Sequence, residues 1–348
     1  MENNENNSMS RRKALKSLAA GTVVAATSGL ALGTSRAAYA GNGLTAAKEL
    51  TKVRLAWAEP ASCHAPFSFG IAKGMFEKQG IDLELTYHGI VGADQIKAIE
   101  GGETDMGSHL LVDWVKPIYD QKSSVKIIAA THDGCQRILV SSSSKIASVQ
   151  DLKGKSIAVG TLGDVAHLAF LVTVQKAGLD PHKDVNWVQI PYEKLGEAVN
   201  SGKVDALATL DALAYINKNT FNMKEIANTQ TGHYHGRMCC VIGVNGEFLR
   251  KNREVVQRVT TGILDAYDYA AAMPMEVSEH YINKYNPGYS VEDLTAVLAA
   301  LPLRRHPIGE ELFRQTKDSV DEMKEVKVLS SNVNSEEFAR HITSNIIV

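Results

Sequence analysis

The stretch that most constrains the fold runs over residues 151–170, DLKGKSIAVGTLGDVAHLAF. A short run over 156–159 reads as a strand, a loop broken by Gly160 and Gly163 follows, and the apolar spacing over 165–176 predicts a helix that Gly178 stops. Asp164 stands at the N-cap, where a carboxylate accepts the free N–H groups of the first turn. In an open α/β sheet, ligands collect where strand ends meet such helix starts. The loop with Gly163, Asp164 and His167 is therefore a candidate binding rim.

The same unit recurs along the chain. Strand patterns over 53–59, 83–87 and 104–107 alternate with helical patterns over 66–78, 93–99 and 110–119. Strands over 156–159, 185–190 and 205–210 alternate with helices over 165–177 and 194–200. Gly80-Ile81-Asp82 returns as Gly178-Leu179-Asp180, and Gly102-Glu103-Thr104-Asp105 as Gly202-Lys203-Val204-Asp205, at nearly one offset. Two look-alike α/β lobes with mainly parallel sheets are expected. Two strand-like segments, 137–141 and 238–244, are expected to carry the chain out and back as a two-stranded hinge. This places lobe I at 52–136 and 241–348, and lobe II at 137–240. Helical patterns over 255–272, 277–285, 291–301 and 309–325 are expected to buttress lobe I, leaving a loose tail near 330–335.

At the amino terminus, Arg11-Arg12, a weakly apolar run over 18–32 and Ala38-Tyr39-Ala40 read as a twin-arginine export signal cut after Ala40. Residues 1–40 would then be removed and the product would work in a periplasm. The near balance of 37 basic and 39 acidic residues supplies no basic tract for nucleic acid or anionic lipid. The hydrolytic motifs G-x-S-x-G and H-E-x-x-H and a Walker-type lysine loop are all missing, so no enzyme is expected.

The strand ends and the crossings gather an unusual set of side chains. Cys63 and His64 end the first strand, and His109 ends the third. His132, Asp133, Cys135 and Arg137 flank the outgoing crossing, Asp211 ends the last strand of lobe II, and Arg237 precedes Cys239 and Cys240 on the return. With Gly163, Asp164 and His167 these are the candidate ligand-binding residues. Four thiols in an exported chain leave three states open: a disulfide from Cys135 to Cys239 or Cys240, free buried thiols, or a metal site with His64 and His109.

The segment DLKGKSIAVG with its loop and helix, and HAPFSFGIAKGMFEKQGIDLEL over 64–85, resemble solute-binding proteins of ABC importers, in the nitrate, sulfonate and taurine branch. The likeness spans residues 52–250. It implies a two-lobe type II periplasmic-binding-protein fold, a monomer that captures a small solute and hands it to membrane permease subunits, and no cofactor. Where sulfonate-binding members of that family carry a small hydroxyl residue, this chain has Asp164. That charge disfavours a sulfonate or nitrate unless a protonated histidine or Arg137 offsets it, and favours a small nitrogenous compound. A metal- or redox-cofactor-binding protein using the cleft Cys and His residues is one alternative. A second comes from a family of the same fold that makes the pyrimidine precursor of thiamine. Its cysteine-rich signature is matched here only by Met238-Cys239-Cys240.

Overall fold

The computed structural model describes residues 49–58 and 61–346, and residues Ala47–Val348 form one compact unit. The export-signal reading over 1–40 lies outside the described residues. Among these, no helix is long and apolar enough to cross a membrane.

The chain first lays down β1 (Thr51–Trp57), α1 (Ala65–Ala72), α2 (Met75–Lys78), β2 (Ile81–Tyr87), α3 (Gly92–Glu100), β3 (Met106–Leu110), α4 (Leu111–Asp120) and β4 (Lys126–Asp133). It then builds β5 (Gln136–Ser141), β6 (Lys155–Val159), α5 (Val165–Lys176), β7 (Val185–Gln189), α6 (Leu195–Asn200), β8 (Ala206–Leu210), α7 (Asp211–Thr220) and β9 (Met223–Asn228). It returns through β10 (Met238–Val244) and closes with α8 (Gly246–Lys251), α9 (Arg253–Ala272), α10 (Pro274–Tyr285), α11 (Val291–Ala300), α12 (Gly309–Glu325) and α13 (Ser335–Ile342).

Two five-stranded sheets result, ordered β2-β1-β3-β10-β4 and β7-β6-β8-β5-β9. Each begins with three parallel strands, continues with one (β10 or β5) antiparallel to both its neighbours, and ends with an edge strand (β4 or β9) that runs with the first three. The sequence repeat has a physical counterpart at matched positions. Asp105 accepts the backbone N–H of Arg54 at 2.8 Å, and Asp205 accepts that of Ser156 at 2.9 Å. Asp105 thus ties β1 to the start of β3, and Asp205 ties β6 to the start of β8. Gly102 and Gly202, three residues earlier, hold φ of +72° and +74°, a left-handed turn that a side chain would strain.

Several elements differ from the sequence reading. The single helix expected over 66–78 is split at Gly74, whose φ of +65° ends α1 and starts α2. β4 and β9 were not expected as strands. β4 is an apolar run buried on both faces, without the alternation that marks a half-exposed strand, and β9 is a half-buried edge strand with Lys224, Glu225 and Asn228 in it. The tail expected near 330–335 instead leads into α13, whose N-cap Asn334 accepts from the N–H of Glu337.

The crossings also fall elsewhere. β5 and β10 do not pair with one another, because each belongs to a different sheet. The chain passes out through Gly134 and Cys135, between β4 and β5, and back through residues 229–237, between β9 and β10. β10 pairs with β3 and β4 from Met238 onward, so the return to the first sheet comes before Val241. The two passages touch: a Cβ on Gly134 would lie 2.1 Å from the carbonyl oxygen of Thr229 and 2.3 Å from its carbon. Backbone cannot swing aside as a side-chain tip can. Gly134→Ala is expected to cost about 2–3 kcal/mol of stability in urea unfolding. A loss well under about 1 kcal/mol would show that the passages slide apart freely.

α5 shows why the organising stretch is apolar all round. Val165, Leu168, Leu171 and Val172 join the large core that includes the first sheet, while Ala166, Phe170 and Val174 join a core of the second sheet. A helix buried on both sides has no polar face to keep.

Candidate functional site

A cavity of about 400 Å³ lies where the strand ends of the two sheets meet. Ala58, Cys63 and His64 after β1, His109 at the end of β3 and Cys135 at the first crossing reach it from one side. Val165 at the start of α5, Tyr192, Leu210 and Asp211 reach it from the other. Pro287 and Tyr289, between α10 and α11, add a further wall. The surroundings are largely apolar and aromatic, as in sites that bury a small organic molecule and orient it with a few polar groups.

Of the residues singled out in the sequence, Cys63, His64, His109, Cys135 and Asp211 line this cavity. The others stand outside its wall, each engaged by a specific neighbour. The oxygens of Asp164 are occupied: Oδ1 accepts from the N–H of His167 at 2.8 Å, and Oδ2 from Thr161 N–H at 3.0 Å and Tyr192 O–H at 2.8 Å. Asp164 thus caps α5 and holds Tyr192, which does face the cavity. His167 accepts from Gly163 N–H at 2.8 Å and sets its ring edge-on to Trp187.

Arg137 does not line the cavity, and two carboxylates engage it. Its Nε donates to Asp211 Oδ1 at 2.5 Å and its Nη1 to Glu225 Oε2 at 2.6 Å. Arg237 pairs with Glu322 beside His233, and Asp133 faces Arg305 at 3.4 Å. Among the described residues, no Arg or Lys lines the cavity.

Tyr87, Tyr192, Glu193 and Tyr289 are wall residues that the sequence reading missed. For Tyr192 and Glu193 a signal existed, since they follow β7 in the kind of loop, after a strand, that drew attention to residues 160–164. Gly160 makes room for Tyr192. An added Cβ there would sit 2.1 Å from the tyrosine ring, so the glycine is set by close approach.

His64 has a defined tautomer. Its Nδ1 accepts the N–H of Ala58 at 3.0 Å, so the ring proton sits on Nε2, which is buried without a hydrogen-bond partner among the described residues. Burial lowers its pKa to about 4, keeping it neutral. His109 Nε2 lies 2.6 Å from Asp113, whose same oxygen accepts the N–H of Gly92. Burial pushes the Asp211 carboxyl up to about 6, with the Arg137 guanidinium opposing that rise.

Behind the cavity the thiols converge. Ligand atoms of Cys63, His132, Cys135 and Cys240, all buried, lie within 4.8 Å of one another. Cys239 Sγ is 3.6 Å from Cys135 Sγ, and Gln136 Nε2 donates to both at 3.3 and 3.2 Å. Among the described residues all four thiols are unbridged. Hydrogen bonds from the Cys135 and Cys240 thiols hold Cys63 well below the usual thiol range. Burial disfavours a charged imidazole at His132, yet the facing Cys63 thiolate raises it to about 9. His109 is not part of this cluster, nor is His64, the two histidines expected to share a metal site with the thiols.

Residues 61–277, more than half of the chain, match the family model described as NMT1/THI5 like. The chain belongs to that family. Relatives within reach of sequence comparison include the 4-amino-5-hydroxymethyl-2-methylpyrimidine phosphate synthases THI5 and THI12 of Saccharomyces cerevisiae. Each is 23% identical over 237 residues, which is 65% of this chain and 68% of the yeast protein. Similar solved structures include the alkanesulfonate-binding protein SsuA of Xanthomonas axonopodis pv. citri bound to MOPS. It has a TM-score of 0.70 at 18% identity, covering 85% of this chain and 99% of that one. The periplasmic nitrate-binding protein NrtA of Synechocystis PCC 6803 gives 0.68 at 12% identity, covering 85% and 86%. These likenesses give this NMT1/THI5-like chain the periplasmic-binding-protein fold. The family match covers β3, β8 and α5 and every cavity residue named above except Ala58, Pro287 and Tyr289.

Proposed function

We propose that this protein is the solute-binding component of an ABC importer. It takes one small neutral or weakly basic nitrogenous solute into the cavity between its sheets and delivers it to membrane permease subunits. Export by the twin-arginine route, loss of residues 1–40 and work as a periplasmic monomer belong to the same reading. The observation that carries it is the cavity itself, formed at strand ends of two sheets between which the chain crosses at 134–135 and 229–237. Such paired passages are the architecture of hinge closure.

The wall chemistry narrows the solute. A sulfonate or nitrate would find no Arg or Lys among the described wall residues, and His64 is held neutral. The Nε2–H of His64 asks for an acceptor, Glu193 favours a donor or a positive group, and three tyrosines suit a flat ring. Mass spectrometry of solute released from the natively purified protein, followed by thermal-shift titration, tests this. Aminopyrimidines or small amines are expected to raise the melting temperature, while alkanesulfonates and nitrate leave it unchanged. His64→Ala is expected to weaken the bound compound roughly tenfold, the worth of one buried hydrogen bond. Tight sulfonate binding that ignores His64→Ala would overturn the reading.

The yeast relatives favour a second reading, a pyrimidine-precursor synthase. Covalent consumption of a histidine or lysine, seen as a change in intact mass on turnover, would support it over capture.

A further inference from the structure

We propose that Cys63, His132, Cys135 and Cys240 bind one thiophilic metal ion of the Zn²⁺ class at the base of the cavity. The proposal goes beyond solute capture and stands whichever solute the cavity takes.

Three cysteine sulfurs and one imidazole nitrogen are a complete tetrahedral donor set for such an ion. Their atoms lie within 4.8 Å of one another. A tetrahedron with Zn–S bonds of about 2.3 Å has edges of about 3.7 Å, so side-chain adjustments of a fraction of an ångström to an ångström close the shell. The donors come from four places in the fold: Cys63 after β1, His132 in β4, Cys135 at the first crossing and Cys240 in β10. β4 and β10 are adjacent, and Cys240 pairs with His132 at an irregularity in their ladder, so the two donors come from facing positions of neighbouring strands.

His132 supplies the second, independent observation. Its Nδ1 sits 2.5 Å from the main-chain oxygen of Asp133, which makes Nδ1 the protonated nitrogen. Its Nε2 is fully buried and without a hydrogen-bond partner among the described residues, and it is the nitrogen that offers a lone pair once the ring gives up its second proton in favour of a metal ion. A buried ring nitrogen left unpaired is costly, and a metal-bound histidine characteristically ties its other ring nitrogen to a carbonyl in this way. The cluster has further support of that outer kind. Gln136 donates an N–H to Cys135 Sγ at 3.2 Å, and the Tyr267 hydroxyl donates to the Cys63 carbonyl at 2.9 Å. Binding releases the remaining thiol protons and the Nε2 proton of the His132 imidazolium to solvent, with no change of oxidation state. Because Cys63 and Cys135 also border the cavity, the ion would fasten the first crossing to the first sheet directly beneath the solute.

The test uses the full chain, reduced and then titrated with Co²⁺ as a coloured stand-in for Zn²⁺. One equivalent is expected to give intense visible bands of a tetrahedral site together with sulfur-to-cobalt charge transfer. Zn²⁺ should displace it, and X-ray absorption of the zinc form should show three sulfurs and one nitrogen. Cys240 does not line the cavity, so Cys240→Ser separates this site from the solute site. It is expected to weaken Co²⁺ binding about a hundredfold or more while solute binding persists. Cys239→Ser is expected to keep the spectrum. A shell of oxygen and nitrogen alone overturns the proposal without reliance on any variant. So does a spectrum indifferent to Cys240→Ser or lost in Cys239→Ser, and so does a reduced protein that takes up no ion and reoxidises to a Cys135–Cys239 disulfide.

Discussion

Arg137→Ala is expected to destabilise the protein by about 3–5 kcal/mol, the usual cost of stripping one partner from a buried ion pair. Arg137 is 9% exposed and Asp211 1%, so water cannot replace the lost guanidinium. The arginine serves two carboxylates, Asp211 at 2.5 Å and Glu225 at 2.6 Å, and its removal leaves Asp211 at the cavity wall with its charge uncompensated. The loss should depend on pH in a defined direction. Asp211 in the intact protein already binds a proton near pH 6. Without Arg137 it stays protonated to higher pH, so the variant is expected to suffer most above pH 7 and less near pH 5, where the carboxyl is neutral in both proteins. Urea unfolding at the two pH values measures this. Arg137→Met combined with Asp211→Asn should recover most of the loss, since replacing a whole buried pair is far cheaper than breaking it. An equal loss at both pH values, with no recovery in the double variant, would show that packing and not charge is what Arg137 supplies.

Acid is expected to weaken the fold through His64. Its folded pKa of about 4 lies below the ordinary 6.5, so between those values the unfolded chain binds a proton that the folded protein refuses. Stability therefore falls as pH drops from 6.5 to 4, by roughly 3 kcal/mol for this one group, and levels off below. His167, also lowered to about 4 by burial, adds a loss of the same sign. Asp211, raised to about 6, contributes the opposite sign, because its folded form binds the proton more readily than the unfolded chain. A comparison isolates His64: both other groups remain in His64→Gln, whose amide oxygen can still accept from Ala58. The wild type is expected to lose roughly 3 kcal/mol more than His64→Gln between pH 7 and pH 4. Parallel stability curves for the two proteins would mean that His64 titrates normally, and that the cavity around it is wetter than its burial indicates.

Local sequence was a sound guide wherever local physics decides. Alternation of strand and helix patterns, glycines forced to positive φ and the Asp164 cap all act within a few residues, so α5, β6 and the paired Asp105 and Asp205 turns could be read directly. β4 and α7 could not, because a run buried on both faces carries no period and α7 starts on Asp211, the residue expected to end a strand. The gathering of cysteines and histidines near strand ends was also legible, because chain order and strand direction bring those ends to one side of an α/β sheet.

What the sequence by itself determined, then, is the doubled α/β architecture and the neighbourhood of the site. Which side chains are free to act was decided only in three dimensions. Arg137 and Asp164 looked like ligand contacts but are consumed by Asp211, Glu225 and Tyr192. Cys240 looked equivalent to its neighbour Cys239, yet the β10 ladder shifts register around them: both thiols approach Cys135, and Cys240 is the one that gathers with Cys63 and His132. Partners far apart in sequence compete for the same polar atom, and that competition is resolved by distance in the folded chain.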